Sequence, residues 1–203
     1  VTKRYVVNEV FYSIQGEGVR AGTANCFVRL SGCNLQCNGQ QDGEAFAPVC
    51  DTEFVSGTRM AMPELLSRIV ATGPVRWVIL TGGEPGLQVD ADMVAALHQA
   101  GIMVAIETNG TQELPADIDW ITVSPKTAEH TLKITQCNEV KYVRHQGQGI
   151  PKTTVKAEHY IISPAFEASG FLDPATLQWC IKLVKENPKW RLSVQQHKTW
   201  KVR

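Results

Sequence analysis

The sequence predicts an α/β fold: an open or partial parallel barrel with a reduced helix count. Three observations lead there. Seven short apolar, β-branched runs recur along the chain, and helical patterns separate several of them, as in a parallel sheet covered by crossover helices. The 203 residues fall short of the roughly 250 that a complete eight-fold barrel commonly takes. With 43% hydrophobic residues, that length suits one substantial core and one domain over residues 1–203.

The first strand is expected at Cys26-Phe27-Val28-Arg29-Leu30. Similar runs follow at 77–80, 103–106, 120–123, 140–143, 160–162 and 192–194. One helix places Met62, Leu65, Leu66, Ile69 and Val70 on a single face, with Pro63 near its first turn. A second runs from about Asp90 to Ala100, turns Val94 and Leu97 inward, and stops at Gly101, a natural C-terminal cap. The third starts at Asp173-Pro174, carries Leu177, Cys180, Ile181 and Val184, and ends before Pro188. Long loops are expected at 34–61 and 144–156. Ligands in such folds gather at the C-terminal ends of the strands, where a site is therefore sought.

Twenty basic and twenty acidic side chains cancel, so no global field attracts nucleic acid or an anionic membrane surface. No apolar run approaches the roughly 20 residues needed to cross a bilayer, and Val1 to Tyr5 lack the apolar block of a signal peptide. The expectation is a cytoplasmic protein with no membrane and no direct nucleic-acid partner. Of the six cysteines, Cys137 and Cys180 sit singly in apolar segments and read as small buried hydrophobes. Cys26 lies within the first strand, where a structural role is expected.

Cys33, Cys37 and Cys50 fall in one loop, 32–61, that leaves the first strand through Ser31-Gly32. Three thiolates suit zinc with a fourth ligand, or an iron-sulfur cluster with one iron left unligated by protein. The cysteine pattern alone leaves both open.

The neighbouring residues narrow the choice. Gly32-Cys33-x3-Cys37 followed by Cys50-Asp51-Thr52, together with Thr81-Gly82-Gly83-Glu84-Pro85 directly after the second expected strand, resembles the radical S-adenosylmethionine superfamily. The glycines let the backbone approach a ligand closely. The resemblance implies a 4Fe-4S cluster on the three cysteines, whose fourth iron binds the amino and carboxylate groups of S-adenosylmethionine and whose reduced form releases a 5′-deoxyadenosyl radical. It also implies that superfamily's partial barrel. The usual loop is C-x3-C-x2-C, whereas twelve residues, Asn38 to Val49, separate Cys37 from Cys50 here. That polar, glycine-containing insertion reads as a surface excursion, and loop closure grows costly only slowly with length.

Further segments resemble the 7-carboxy-7-deazaguanine synthases, most specifically Asn8-Glu9-Val10-Phe11-Tyr12-Ser13-Ile14-Gln15-Gly16-Glu17-Gly18. That likeness implies substrate contacts from Ile14, Gln15, Gly16, Glu17, Arg29 and Thr81. Gln15 and Glu17 offer complementary donors and acceptors to a pterin edge, and the Arg29 fork suits a carboxylate. It implies S-adenosylmethionine contacts from Val49, Cys50, Asp51, Gly82, Gly83, Glu84, Ser124, Pro125 and Lys126, and a magnesium ligand in Thr52. Glu107 and Asn109, in Glu107-Thr108-Asn109-Gly110, match positions lining the pocket. His197 lies in Gln195-Gln196-His197-Lys198, which resembles the family's closing strand and implies a wall residue. Ser163-Pro164, where the family often has Gln-Pro, and the terminal Lys201-Val202-Arg203 depart from it.

The implied reaction is the Mg2+-dependent radical ring contraction of 6-carboxy-5,6,7,8-tetrahydropterin to 7-carboxy-7-deazaguanine with loss of ammonia. A flavodoxin or ferredoxin donor and a homodimer are also implied. Two alternatives stand beside it: a glycyl-radical activating enzyme, against which Gln15 to Gly18 and Cys50-Asp51-Thr52 argue, and a non-catalytic, metal-stabilised binding module.

Overall fold

A computed structural model describes residues 3–35, 37, 53–167 and 169–202. Its strands are β1 (Arg4–Ile14), β2 (Ala24–Leu30), β3 (Thr58–Ala61), β4 (Trp77–Gly82), β5 (Met103–Thr108), β6 (Trp120–Val123), β7 (Gln136–Arg144), β8 (Lys156–Pro164) and β9 (Trp190–Leu192). Its helices are α1 (Met62–Ala71), α2 (Ala91–Gln99), α3 (Pro174–Glu186) and the short α4 (Gln196–Trp200). The nine strands form one sheet in the order β3-β1-β2-β4-β5-β6-β7-β8-β9. β3, β1 and β2 pair antiparallel, and every pairing from β2 to β9 is parallel.

Successive side chains of the parallel strands point alternately to the face packed by α1, α2 and α3 and to the opposite face, and β4 and β5 are buried on both. Cys26, Val28, Leu30, Val78, Leu80, Val104 and Ile106 form one buried cluster with Leu65 and Ile69 of α1 and Met93, Val94 and Leu97 of α2. Val123, Val140, Tyr142 and Ile162 form a second with Cys180 of α3. Fully burying a side chain such as Leu65 or Ile69 contributes roughly 2 kcal/mol.

The intervening residues face the other way. Arg29 pairs with Thr81 across β2 and β4; Glu107 pairs with Thr122, Thr122 with Glu139, and Glu139 with His159 across β5 to β8. Side chains opposite one another in register share a face, so a row of polar groups crosses the sheet on its uncovered side.

Local sequence sets the helix ends. Asp90 caps α2 by accepting from Met93 N at 2.9 Å, and Asp173 caps α3 by accepting from Thr176 N at 2.9 Å. Gly101 takes φ +74° after α2, a conformation that costs glycine little.

Several expectations change. β1 and β3 are strands where none was anticipated, and β9 lies at Trp190–Leu192 rather than 192–194. Val70 is 56% exposed, because the inward stripe of α1 is Leu65 and Ile69, with Met62 and Leu66 packed beside them. On α3 the fully inward residues are Thr176, Cys180 and Leu183, with Leu177, Ile181 and Val184 at the margin. The segment around His197 is a single helical turn, not a closing strand. Cys137 and Cys180 are buried as expected, and burial raises both thiols above their usual range. No helix among the described residues is long and apolar enough to cross a membrane.

Candidate active site

The uncovered face bounds a cleft of about 530 Å³. Ile14, Gln15, Gly16, Glu17, Arg29, Thr81, Glu107 and His197 line it, so eight residues singled out in the sequence meet around one space. The turn after β1 is held by Gln15 N donating to Thr23 O at 2.9 Å and Gly22 N donating to Gln15 O at 2.8 Å. This frees the Gln15 side chain, which donates to Glu107 Oε1 at 3.0 Å and accepts from Glu17 N at 3.1 Å.

Gly16 is glycine for lack of space. A Cβ there would lie 2.4 Å from His197 Nδ1 and 2.6 Å from His197 N, while Gln196 N donates to Gly16 O at 2.9 Å. Gly18 has φ +69°, and a Cβ would meet the Glu139 carboxylate at 2.3 Å. The turn is thus clamped between α4 and β7.

Arg29 donates through Nε to Glu9 Oε1 at 2.8 Å, both side chains being about a quarter exposed. The pairing leaves the rest of the guanidinium fork for a cleft anion. Phe11 and Phe27, opposite in register, stack at 5.1 Å with planes 7° apart and form an apolar wall. A flat, polar-edged bicycle bearing a carboxylate matches this combination of apolar wall, amide and guanidinium.

Beneath the cleft floor lies a charge cluster. Lys141 Nζ donates to Glu17 Oε2 at 2.8 Å and to Glu107 Oε2 at 3.3 Å, with the lysine side chain only 8% exposed. Burial alone would lift Glu17, but the Lys141 charge and hydrogen bond, His197 and Gln195 outweigh it and hold the carboxyl well below its usual range. Burial opposes the Lys141 charge too, yet Glu107 and Glu17 keep the ammonium protonated far above neutrality. Glu139 differs: burial and the Glu107 charge raise it, against Val19 N and Lys141, which lower it.

The C-terminal edge of the sheet gathers the other expected residues. Gly83 packs so closely on the cysteine loop that a Cβ would lie 2.2 Å from Gly32 O and 2.8 Å from Cys33 Cβ, and at Gly82 (φ +131°) one would lie 2.0 Å from Leu30 O. Glu84 N donates to Gly32 O at 2.9 Å, and Leu35 N points to Cys33 Sγ at 3.4 Å. An N–H directed at sulfur suits a ligating thiolate, and the close Gly83 contact suits a ligand laid across both turns. These residues fit a cluster and its S-adenosylmethionine partner.

Asn109 donates to Asn34 Oδ1 at 3.1 Å, tying the loop after β5 to the cysteine loop. Ser124 N donates to Thr108 O at 2.8 Å, and Lys126 Nζ to Ser124 Oγ at 2.9 Å, which sets Ser124, Pro125 and Lys126 at the same edge, outside the lining of the cleft. The Glu84 side chain points into the turn. It has no exposed surface, and its carboxylate accepts from Thr108 Oγ1 (2.6 Å), Gly86 N (2.8 Å) and Asn109 N (2.7 Å). It braces the turn from beneath. Val49, Cys50, Asp51 and Thr52 lie outside the described residues, as does the insertion up to Val49.

Sequence reading assigned no role to Glu9, Phe11, Phe27, Glu53 and Gln195 on the cleft wall, or to Glu139 and Lys141 beneath it. For the last two a signal existed: a charged residue within an apolar strand, the same signal that singled out Arg29.

A family model described as a 4Fe-4S single cluster domain matches residues 14–112. The chain is 42% identical over 198 residues to a 7-carboxy-7-deazaguanine synthase from Bacteroides thetaiotaomicron, covering 97% of this chain and 98% of that one. It is 41% identical to one from Caulobacter vibrioides, covering 96% and 97%. The crystal structure of QueE from Escherichia coli superposes with a TM-score of 0.68 at 23% identity, covering 95% of this chain and 94% of that one, a likeness of fold.

Proposed function

This chain belongs to the 7-carboxy-7-deazaguanine synthase family, and from that premise we propose that its cleft binds 6-carboxy-5,6,7,8-tetrahydropterin and contracts the ring to 7-carboxy-7-deazaguanine with loss of ammonia. The observation that carries the reading is the convergence of Gln15, Glu17, Arg29 and Thr81 on one cleft beside the Gly83 and Cys33 contact.

Cys33, Cys37 and Cys50 would hold the 4Fe-4S cluster, and Gly82, Gly83, Glu84, Ser124, Pro125 and Lys126, with Val49 to Asp51, would hold S-adenosylmethionine. When bound, the pair supplies a 5′-deoxyadenosyl radical that takes hydrogen from substrate carbon. The chain's own residues do the rest. Arg29 fixes the carboxylate, Gln15 and Glu17 read the polar edge, and the stacked Phe11 and Phe27 exclude water from one side, which together orient the reacting bond. Thr52 would contribute one oxygen to a Mg2+ ion, which prefers oxygen ligands and would help to stabilise developing charge. The electron comes from a flavodoxin or ferredoxin, and the enzyme works as a homodimer in the cytoplasm.

Anaerobic reconstitution followed by incubation with the carboxytetrahydropterin, S-adenosylmethionine, reductant and magnesium tests the reading. A reducible cluster and formation of the deazapurine are expected, with the rate falling when magnesium is chelated. A cluster that forms but leaves the pterin unchanged defeats the substrate assignment, and a protein that takes up no iron or sulfide defeats the whole.

A further inference from the structure

Below the cleft lies a second void of about 10 Å³, bordered by Glu17, Arg20, Glu107, Thr122 and Glu139. That is room for one water, provided polar partners surround it, and here they do. Arg20 contributes a buried Nη1 that has no hydrogen-bond partner, while its other amino group reaches Asn25 and its plane lies 3.8 Å over the Trp77 ring. A buried donor left unpaired is destabilising, so a water accepting from it is strongly favoured.

Glu107 borders both the cleft and this void, whereas Glu139 borders the void alone. Between them stands only Thr122, their common partner in register. The groups facing Glu139 are Glu17 and Arg20 from the turn after β1, Glu107 from β5, Lys141 from its own strand and His159 opposite it on β8. Three carboxylates there face two permanent cations, so one proton on a carboxyl neutralises the cluster. Lys141 already engages Glu17 and Glu107. Glu139 receives Val19 N on Oε2 at 2.7 Å and no ammonium bond.

We propose that Glu139 is a positioning residue for proton delivery, carrying an exchangeable proton that passes through a water in the void to Glu107 on the cleft wall. The inference rests on the ring contraction proposed above. Loss of ammonia breaks a C–N bond with its electron pair leaving on nitrogen. The accompanying ring double bond forms from a C–H pair, whose proton passes to solvent water. Nitrogen departs as neutral ammonia once it takes one proton, so the step balances with a proton carrier alone and needs no oxidant or reductant. Glu139 gives its proton through the water to the Glu107 carboxylate, which passes it to nitrogen, and solvent reprotonates Glu139.

The test uses the reconstituted holoenzyme with Glu139→Gln, which keeps an acceptor for Val19 N and cannot carry the proton. A fall of roughly a hundredfold in kcat is expected, the scale of a lost acid-base group, with KM nearly unchanged and the solvent deuterium isotope effect altered. Glu139→Asp, with an ionisable carboxyl on a shorter stem, recovers part of the rate. Independently of turnover, the wild-type protein at neutral pH is expected to show the infrared carbonyl band of a protonated carboxyl, absent in Glu139→Gln. If that variant does not fold, a shift of the band in Glu139→Asp replaces the comparison. A Glu139→Gln enzyme with wild-type kcat and pH profile, a change in KM alone, or a wild-type protein without the band overturns the proposal. A wild-type enzyme that shows the band and leaves the pterin unchanged defeats the assigned reaction instead.

Discussion

Replacing Lys141 with methionine removes one ammonium and strands two carboxylates. Glu17 and Glu107 both lose their cation, at 2.8 and 3.3 Å, in surroundings where the Glu17 side chain is 17% and the Glu107 side chain 23% exposed. Breaking a buried pair costs about 3–5 kcal/mol, because it leaves uncompensated charge. Partial exposure of the two glutamates puts the expected loss at the lower end, about 3 kcal/mol. The pH dependence adds a signature. Glu17 is held low, from 4.5 to about 2. Its contribution to stability is therefore complete above about 4.5 and is lost as pH falls through that window towards 2. Without Lys141 that carboxyl takes up a proton more readily, so the deficit of Lys141→Met is greatest at neutral pH and narrows as pH falls. Urea unfolding across a pH series measures both, with an unchanged slope marking a true stability change. A loss below about 1 kcal/mol, or a deficit independent of pH, would refute the claim that Lys141 neutralises this cluster.

Two further substitutions probe the other ends of the site. Gly83→Ala places a methyl 2.2 Å from Gly32 O; iron and sulfide per chain after reconstitution are expected to fall while circular dichroism is kept, and full loading would show that the close approach is dispensable. Arg29→Gln removes a charge-assisted contact and is expected to raise KM for the pterin roughly tenfold or more, as the loss of about 1.5–3 kcal/mol requires. An unchanged KM with lowered thermal stability would reduce Arg29 to a structural partner of Glu9.

The central strands were legible because β2, β4, β5 and β6 are flanked by paired strands on both sides and bury Val28, Leu80, Ile106 and Val123 completely. β1 was not, since its eleven residues carry only Tyr5 and Val7 as buried apolar groups and its pairing with β2 and β3 is non-local. β3 has four residues, too few for a period to register. On the site, residues carried by motifs were readable: Gln15 to Glu17, Thr81 and Gly83. His197 was readable only through its segment, Gln195 to Lys198, because the Gly16 backbone against which it packs is far away along the chain. Lys141 and Glu139 offered a signal, charge within an apolar strand, but local composition cannot reveal which face of that strand meets a cleft. At Glu84 the motif pointed to a ligand and gave no sign that the carboxylate would also brace the turn through three hydrogen bonds.

The wall of the cleft is stitched from opposite ends of the chain. Gly18 N donates to Ser193 Oγ, Gln196 N to Gly16 O, and Gln195 Nε2 to Glu17 Oε1 across 178 positions. Cys33, Cys37, Cys50 and the glycine turn, by contrast, fall before residue 86, within the stretch that the cluster-domain model matches. A chain cut short before Ser193 keeps that stretch and loses the hydrogen bonds that tie residues 16–18 to the C-terminal segment. Such a truncated product is expected to take up iron while being blind to its pterin.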